Sequence, residues 1–367
     1  MLNMTNLPPR AFQEHVHDKE VFLFGAGRAL EGALKLYFEN KPIKGIIDNN
    51  PSLHGQTINH NHCGIPIMNL NEFVQYISSH AQEQCTLFIT SPFYATEIVD
   101  ELDRIQELDG LECFLQALVR ENYGETDSFD FTRGVPKIAR TIHYIWLGGK
   151  AIPKAFQENI DSWRKYNPQY EIVEWNETNY HFDKCLYAKQ AYETGNWGFA
   201  SNYARLDIIY QEGGIYLDTD VEVIRSFDPL INDDAFFCMG KADRVNNGCG
   251  FGAIKNHPIV KNMMESYENS CFLDNNGKPK KQPGFSFLHP SLAKWGFEFN
   301  NQYQKRKGAV LYPVEVMSPL SAIRGNDRMT DKTRSIHKES GSWMNEKEKE
   351  GMEKLNRFVT EREIKFT

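Results

Sequence analysis

The sequence predicts an α/β protein of two domains, and three observations carry that prediction. Val21-Phe-Leu-Phe-Gly25-Ala-Gly27 is a buried-strand pattern running into a glycine turn, with a helical stretch and a second apolar run behind it. A second helix-to-strand passage, Phe199 to Glu212 and then Gly213-Gly-Ile-Tyr-Leu-Asp-Thr-Asp220, closes on two carboxylates. Between the two passages, residues 121–134 turn polar and read as a linker.

The chain has 367 residues, enough for two domains that each bury a core. Its net charge of −8 gives no basic stripe and argues against a nucleic-acid partner. No apolar run approaches the ~20 residues that cross a bilayer, and residues 1–20 have no apolar signal core. The expectation is a cytoplasmic protein, free or peripheral at the cytoplasmic face of the inner membrane. Seven scattered cysteines without a Cys-x-x-Cys pair read as reduced core thiols. His54, His60, His62 and Cys63 crowd one loop, but their spacing matches no standard zinc pattern.

The first domain is placed at 1–120. Its strand Val21–Gly25 leads into Gly25-Ala-Gly27, then a helix over 29–40 and a strand over 43–48. Asp48 falls about twenty residues past the glycines, where a dinucleotide fingerprint carries its acid. Leu30 stands where that fingerprint has its third glycine, which counts against nicotinamide binding. A third strand over 86–90 and a helix over 94–105 complete a small doubly wound parallel sheet. The segment resembles the small Rossmann-like domains attached to many bacterial glycan-assembly proteins. Gly25, Gly27 and Asp48 mark a candidate ligand site of unassigned role.

The second domain is placed at 135–345, followed by a charged helix or tail over 346–367. Residues 135–149 read as a first strand opening into a glycine turn, with Trp146 at its mouth. A helix over 160–166 and a strand over 170–175 follow. In the helix 199–212, Ala200, Tyr203, Ala204 and Ile208 keep helical spacing and Gly213 serves as the stop. Asn202 and Arg205 lie three apart and share a face; Arg205 offers a planar fork for phosphate or sugar oxygens, or else pairs with Asp207 or Glu212. On an extended strand, Asp218 and Asp220 project to one side and can share a cation. Hard oxygen ligands suit Mg²⁺ or Mn²⁺, which commonly share their shell with phosphates.

Five phrases then appear in order: I-H-Y-I-W-L-G-G from Ile142, S-W-R-K-Y-N-P from Ser162, the run from Ala200 through the Asp-x-Asp, N-N-G-C-G-F-G-A from Asn246, and S-I-H-K-E-S-G-S-W from Ser335. Together they resemble glycosyltransferase family 32, over about residues 136–343. The resemblance implies a GT-A fold, a divalent metal (Mn²⁺ or Mg²⁺), a nucleotide-sugar donor and retention of anomeric configuration. It implies that Trp146 stacks on the base, that Asp218 meets ribose and a metal-bound water, and that Asp220 ligates the metal. Arg205, Asn202 and Asn247 would face the donor sugar, His337 would complete the metal shell, and Ser342 and Trp343 would hold the diphosphate. Two departures stand out. The family usually has Asp where this chain has Asn202, and a Gly-Pro phrase where it has Leu288-His289-Pro290.

The expected activity is therefore transfer of a sugar, from a UDP- rather than a GDP-linked donor, to a glycan or lipid-linked glycan acceptor of the bacterial surface. The rival readings are a non-catalytic nucleotide-sugar or glycan-binding protein, a toxin-like protein glycosyltransferase, a glycoside hydrolase using the two aspartates, and a dehydrogenase or epimerase run by the first domain. Adjacent carboxylates on one strand disfavour the hydrolase, whose acid pair spans a sugar. Oligomeric state is not legible in the sequence.

Overall fold

The structure is a computed structural model, and it describes residues 1–338 and 346–366. The chain divides into two compact units. Among the described residues no helix is long and apolar enough to cross a membrane.

The first unit comprises residues 1–125, the stretch 321–327 and a C-terminal helix, Glu346–Glu361. Its strands are β1 (Asn3–Met4), β2 (Glu20–Phe24), β3 (Ile43–Ile47), β4 (Thr57–His60), β5 (Cys63–Met68), β6 (Cys85–Ile89) and β7 (Glu112–Leu115). They form one sheet in the order β1-β7-β6-β2-β3-β5-β4, parallel except for the β4–β5 hairpin. Helices α1 (Pro9–His15), α2 (Ala29–Tyr37), α3 (Leu70–Ser79), α4 (Ala95–Leu102) and α5 (Gln116–Glu121) connect the strands. The central strands β2 and β6 read as near-continuous apolar runs because helices cover both faces of a parallel sheet; Phe22, Leu23, Leu87 and Phe88 are fully buried. The hairpin holds the histidine-rich loop. There His54 Nε2 meets the Asp48 carbonyl at 2.8 Å and His60 Nε2 the Phe38 carbonyl at 2.9 Å, so both rings serve the backbone.

The chain does not divide at a single linker. Buried Glu121 accepts hydrogen bonds from the Ser321 hydroxyl and the Ala322 N–H, both at 2.9 Å, which ties the 321–327 stretch into the first unit. The C-terminal helix turns Leu355, Phe358 and Val359 into that unit's core and leaves Lys349, Glu350, Glu353 and Arg357 outside. At the other boundary, Phe129 lies within the polar 121–134 stretch yet stacks on Tyr303, centroids 4.9 Å apart, in the core of the second unit.

The second unit comprises 126–320 and 328–338 of the described residues. Its elements run β8 (Thr141–Ile145), α6 (Lys154–Tyr166), β9 (Glu171–Trp175), α7 (Leu186–Glu193), α8 (Trp197–Glu212), β10 (Gly214–Tyr216), β11 (Val221–Val223), β12 (Ala235–Gly240), β13 (Arg244–Val245), β14 (Phe251–Ala253), α9 (Pro258–Glu268), α10 (Phe285–Lys294), β15 (Gln304–Arg306), β16 (Ala309–Tyr312) and β17 (Ser335–His337). A mixed sheet runs β15-β16-β12-β14-β10-β8-β9, with β8, β9 and β10 mutually parallel. The α/β class is as the sequence predicts. Strand β10, next to the centre, delivers the chain to the Asp-x-Asp turn. Its entry is tightly built: Gly213 has φ +69°, and a Cβ on Gly214 would stand 2.7 Å from the Thr141 carbonyl and 3.0 Å from His143 Nε2. His143 is buried and locked, its Nε2 on the Gly213 carbonyl and its Nδ1 accepting the Trp175 indole N–H, both at 3.0 Å. Burial pushes its pKa down to about 4.

Candidate active site

Helix α8 positions the first two site residues. Its buried stripe of Ala200, Tyr203, Ala204 and Ile208 seats it against the sheet. Arg205 then points along the end of β10, where its Nη2 lies 3.2 Å from Asp218 Oδ1. The two local partners that the sequence offers are taken by others. Asp207 holds Lys184 at 2.7 Å and the Tyr180 hydroxyl at 2.9 Å, and Glu212 holds Lys255 at 3.2 Å. Arg205 is further fixed by Ser201, whose carbonyl and hydroxyl each accept at 3.2 Å, and by the Tyr216 ring 4.8 Å beneath its guanidinium. Tyr216, absent from the sequence-predicted set, donates its hydroxyl to Asp218 Oδ1 at 2.9 Å.

The two aspartates converge, though not by strand geometry. β10 ends at Tyr216, and Asp218 to Val221 form a turn closed by the Val221 N–H on the Asp218 carbonyl at 3.1 Å. The turn leads into β11, which pairs antiparallel with β17 so that Val221 faces His337. That register brings His337 Nε2 to 3.2 Å from Asp220 Oδ1. Asp218, Asp220 and His337 thus each offer a ligand atom, all within 4.8 Å of one another, the single such grouping among the described residues. Asn159 braces the turn from α6 by donating to the Thr219 carbonyl at 2.8 Å.

The loop after β13 closes the site. The Gly248 carbonyl accepts the Asp218 N–H at 3.1 Å, and a Cβ on Gly248 would fall 2.4 Å from Asp218 Oδ2 and 3.0 Å from Asn246 Oδ1. Asn246 also reaches His337 Nδ1 at 3.4 Å. Asn247 is 4 % exposed, and neither atom of its amide has a hydrogen-bond partner among the described residues. A buried amide left unmade costs roughly 1–3 kcal/mol, so this group calls for a partner that the described residues do not supply. Trp146 sits half-buried at the end of β8, its indole N–H on the Lys150 carbonyl at 2.6 Å and its ring edge-on to Phe156 at 5.8 Å. Asn202 is one turn before Arg205 on α8, with its amide nitrogen 3.8 Å from where a Gly284 Cβ would stand. Ser342 and Trp343 lie outside the described residues.

Electrostatics agree with a cation seat. Desolvation pushes the Asp218 carboxyl above its ordinary value; the Arg205 guanidinium opposes this and the Asp220 charge adds to it. Burial would depress His337, but its hydrogen bond to Asp220 and that carboxylate's charge win and raise its pKa to about 9. In this state a protonated imidazole neutralises Asp220, and a divalent ion has to displace that proton to use the ring nitrogen. Two carboxylates and one imidazole form a donor set that suits Mn²⁺, and the two carboxylates with waters would suit Mg²⁺, so the residues present fit such an ion.

In comparisons with known proteins, residues 153–237 match the family described as the glycosyltransferase sugar-binding region containing the DXD motif. The matched segment holds Asn202, Arg205, Asp218 and Asp220; Trp146, Asn247 and His337 lie outside it. The chain is 27 % identical over 146 residues to inositol phosphoceramide mannosyltransferase 3 of Schizosaccharomyces pombe, covering 38 % of each. It is 24 % identical over 202 residues to the subversion of eukaryotic traffic protein A of Legionella pneumophila, covering 47 % of this chain and 28 % of that one. It is 36 % identical over 86 residues to the human alpha-1,4-N-acetylglucosaminyltransferase, covering 22 % of this chain and 24 % of the relative. The matched region thus spans less than half the length of each of these relatives. The resemblance to Asp-x-Asp glycosyltransferases is supported by the family match and by two relatives that bear that activity in their names.

Proposed function

We propose that the second unit is a metal-dependent glycosyltransferase domain of the GT-A kind that takes a sugar from a nucleotide-sugar donor and gives it to a glycan acceptor with retention. The observation that carries this reading is the meeting of Asp218, Asp220 and His337 beside Arg205, within and next to the segment that matches the sugar-binding region. The donor is UDP-linked in first preference, the metal Mn²⁺ or Mg²⁺, and the acceptor a surface glycan or its lipid-linked precursor, met at the cytoplasmic face of the inner membrane.

The roles follow from charge. Asp220 and His337 would hold the metal, and Asp218 would serve the ribose and a metal-bound water. When bound, the ion acts as a Lewis acid on the diphosphate, a contribution of several kcal/mol in such reactions. Arg205 adds a fixed positive charge near the breaking bond and needs no reorganisation to do so. Asn247 and Asn202 orient the sugar by hydrogen bonds, and Trp146 offers its face to the base. The acceptor oxygen bonds to the anomeric carbon from the face on which the carbon–oxygen bond to diphosphate breaks. The bonding pair leaves with the diphosphate oxygen, which takes the acceptor proton.

The test is thermal unfolding with UDP, GDP and their sugars, with and without Mn²⁺, in the native chain and in Asp220→Ala. A ligand at a hundred times its dissociation constant adds roughly 2.7 kcal/mol. The expected result is a Mn²⁺-dependent shift with one nucleotide family, lost in the variant, and transfer of that sugar with retention. A nucleotide shift that survives Asp220→Ala, or none with any donor, overturns the reading.

A further inference from the structure

In the first unit Asp48 fastens its own glycine turn, its Oδ2 accepting the Ala26 N–H at 2.7 Å. The acid turn of the second unit is fastened from outside. It runs into β11, which lies between β17 on one edge and helix α6 on the other. Alternate residues of a strand aim their backbone groups at opposite edges, and the two edges here have different partners. Glu222 pairs with Ile336 of β17, and the Asp220 carbonyl accepts the Lys338 N–H at 3.0 Å. On the other edge α6 stands where a further strand would lie. Asn159, Ser162 and Trp163, at i, i+3 and i+4, share one face of that helix. The Asn159 amide donates to the Thr219 carbonyl at 2.8 Å and the Trp163 indole N–H to the Val221 carbonyl at 2.7 Å. The Ser162 hydroxyl accepts the Val223 N–H at 2.9 Å. Side chains of one helix thus satisfy an edge that would otherwise be bare.

Asn159 does more than hold that edge. It is 2 % exposed and bonded at both ends of its amide, with Oδ1 accepting the Lys338 ammonium at 2.9 Å. Lys338 directly follows His337, and its ammonium also meets Glu222 Oε2 at 3.0 Å. A ring closes from the Thr219 carbonyl through Asn159 and Lys338 back to the Asp220 carbonyl. It joins the turn that carries Asp218 and Asp220 to the strand end that carries His337, and it uses none of those three side chains.

We propose that Asn159, acting through Lys338, is a positioning residue that sets the His337 imidazole against Asp220 and so makes the seat prefer Mn²⁺ to Mg²⁺. The inference rests on the reading of Asp218, Asp220 and His337 as a metal seat. Mg²⁺ keeps oxygen ligands and waters and gains little from an imidazole nitrogen. With the clasp loosened, the end of β17 parts from the acid turn, and carboxylate and water remain as ligands.

The full chain is titrated calorimetrically with Mn²⁺ and with Mg²⁺, and electron spin-echo modulation of the Mn²⁺-loaded protein reads the nitrogen of a bound imidazole. Asn159→Leu removes both bonds of the amide at similar volume. Lys338→Met keeps the stem and removes the ammonium at a half-exposed position, where the fold tolerates the change. In both variants Mn²⁺ affinity is expected to fall about tenfold or more, the scale of disturbed supporting contacts at metal sites. The loss for Mg²⁺ is expected to be smaller, and the nitrogen modulation to fade. The double variant should bind Mn²⁺ no more weakly than Asn159→Leu, because members of one network do not add. Equal losses for the two ions, native affinity and modulation in Lys338→Met, or Mn²⁺ binding by the native chain without nitrogen modulation each overturn the clasp and leave the seat. No Mn²⁺ binding by the native chain overturns the seat, and the clasp with it.

Discussion

Arg205 and Asp218 face each other at 3.2 Å, and the hydroxyl of Tyr216 reaches the same carboxylate oxygen at 2.9 Å while its ring lies under the guanidinium. One tyrosine therefore positions both members of the pair. Tyr216→Phe keeps the ring under Arg205 and removes the hydrogen bond. Such bonds to charged groups are worth about 1.5–3 kcal/mol, so kcat/KM is expected to fall about tenfold or more. Arg205→Lys loses the planar fork as well and should fall further. Steady-state transfer assays beside thermal unfolding check both. A Tyr216→Phe enzyme at full rate would mean that Arg205 alone orients Asp218.

Gly248 is the tightest constraint on the acidic turn. A methyl there would overlap Asp218 Oδ2 at 2.4 Å and press on Asn246 Oδ1 at 3.0 Å, and both are ends of side chains that can swing aside. Gly248→Ala is expected to fold with little loss of stability but to turn Asp218 away from Asp220. Mn²⁺ affinity and transfer should each drop about tenfold or more, the scale set by disturbed supporting contacts at metal sites. Calorimetric metal titration reads the first and unfolding the control; a variant that unfolds instead of losing metal would refute the local account.

How much of this site could be read in the sequence depends on distance along the chain. The stop of α8 at Gly213, the face shared by Asn202 and Arg205, and the pairing of Asp218 with Asp220 are local consequences of spacing and were legible. The aspartates nonetheless meet on a turn, because β10 spans only three residues and the chain bends at Asp218 before β11. The ion-pair partner of Arg205 was not legible: the two acids that spacing offered, Asp207 and Glu212, are claimed by Lys184 and Lys255 through tertiary packing, and Arg205 pairs with Asp218 instead. Tyr216, Gly248 and Asn246 stand inside phrases that the sequence singles out, but nothing local assigned them a role: a tyrosine and a loop glycine are ordinary until β14 is laid beside β10. Nothing in the polar 121–134 stretch marks Phe129 as a core residue, because its partner Tyr303 is over 170 positions away. Nothing local announces that residues 321–327 return to the first unit, because that return rests on distant partners: the Glu121 carboxylate under Ser321 and Ala322, Asn356 under Arg324, and the apolar core that takes Ile323.

Acid stability offers a prediction away from the site. His257 is buried at the start of α9, where its Nδ1 accepts the Ile259 N–H at 3.3 Å. Burial, only partly offset by Asp234, lowers its pKa to about 4. The unfolded chain therefore binds a proton that the folded chain refuses between about pH 6.5 and 4. Stability from this group is complete above the upper limit and drains away as pH falls towards the lower one. His257→Asn retains an N-cap acceptor without the titration. It is expected to match the native chain near pH 7 and to lose about 1–3 kcal/mol less on going to pH 4.5. Denaturant titrations at the two pH values decide it; parallel losses in both proteins would show that His257 titrates normally.

Asn202 tests whether the departure from the Asp-x-Asp transferase pattern tunes the site or weakens it. It lies one helical turn from Arg205, and its amide faces the start of α10, where the Tyr267 hydroxyl also stands 3.8 Å from the Gly284 Cβ position. A carboxylate at 202 would accept a sugar hydroxyl with charge assistance, roughly twice the strength of the neutral bond. Arg205 nearby would compensate the added charge. Asn202→Asp is therefore expected to raise transfer several-fold with the native donor, through kcat more than KM, since the sugar carries the developing charge. The assay is initial rate across a panel of nucleotide sugars. A fall with the native donor accompanied by a gain with another would show that Asn202 selects the sugar. An unchanged rate with every donor would remove position 202 from the donor site and leave Arg205 and Asn247 to orient the sugar.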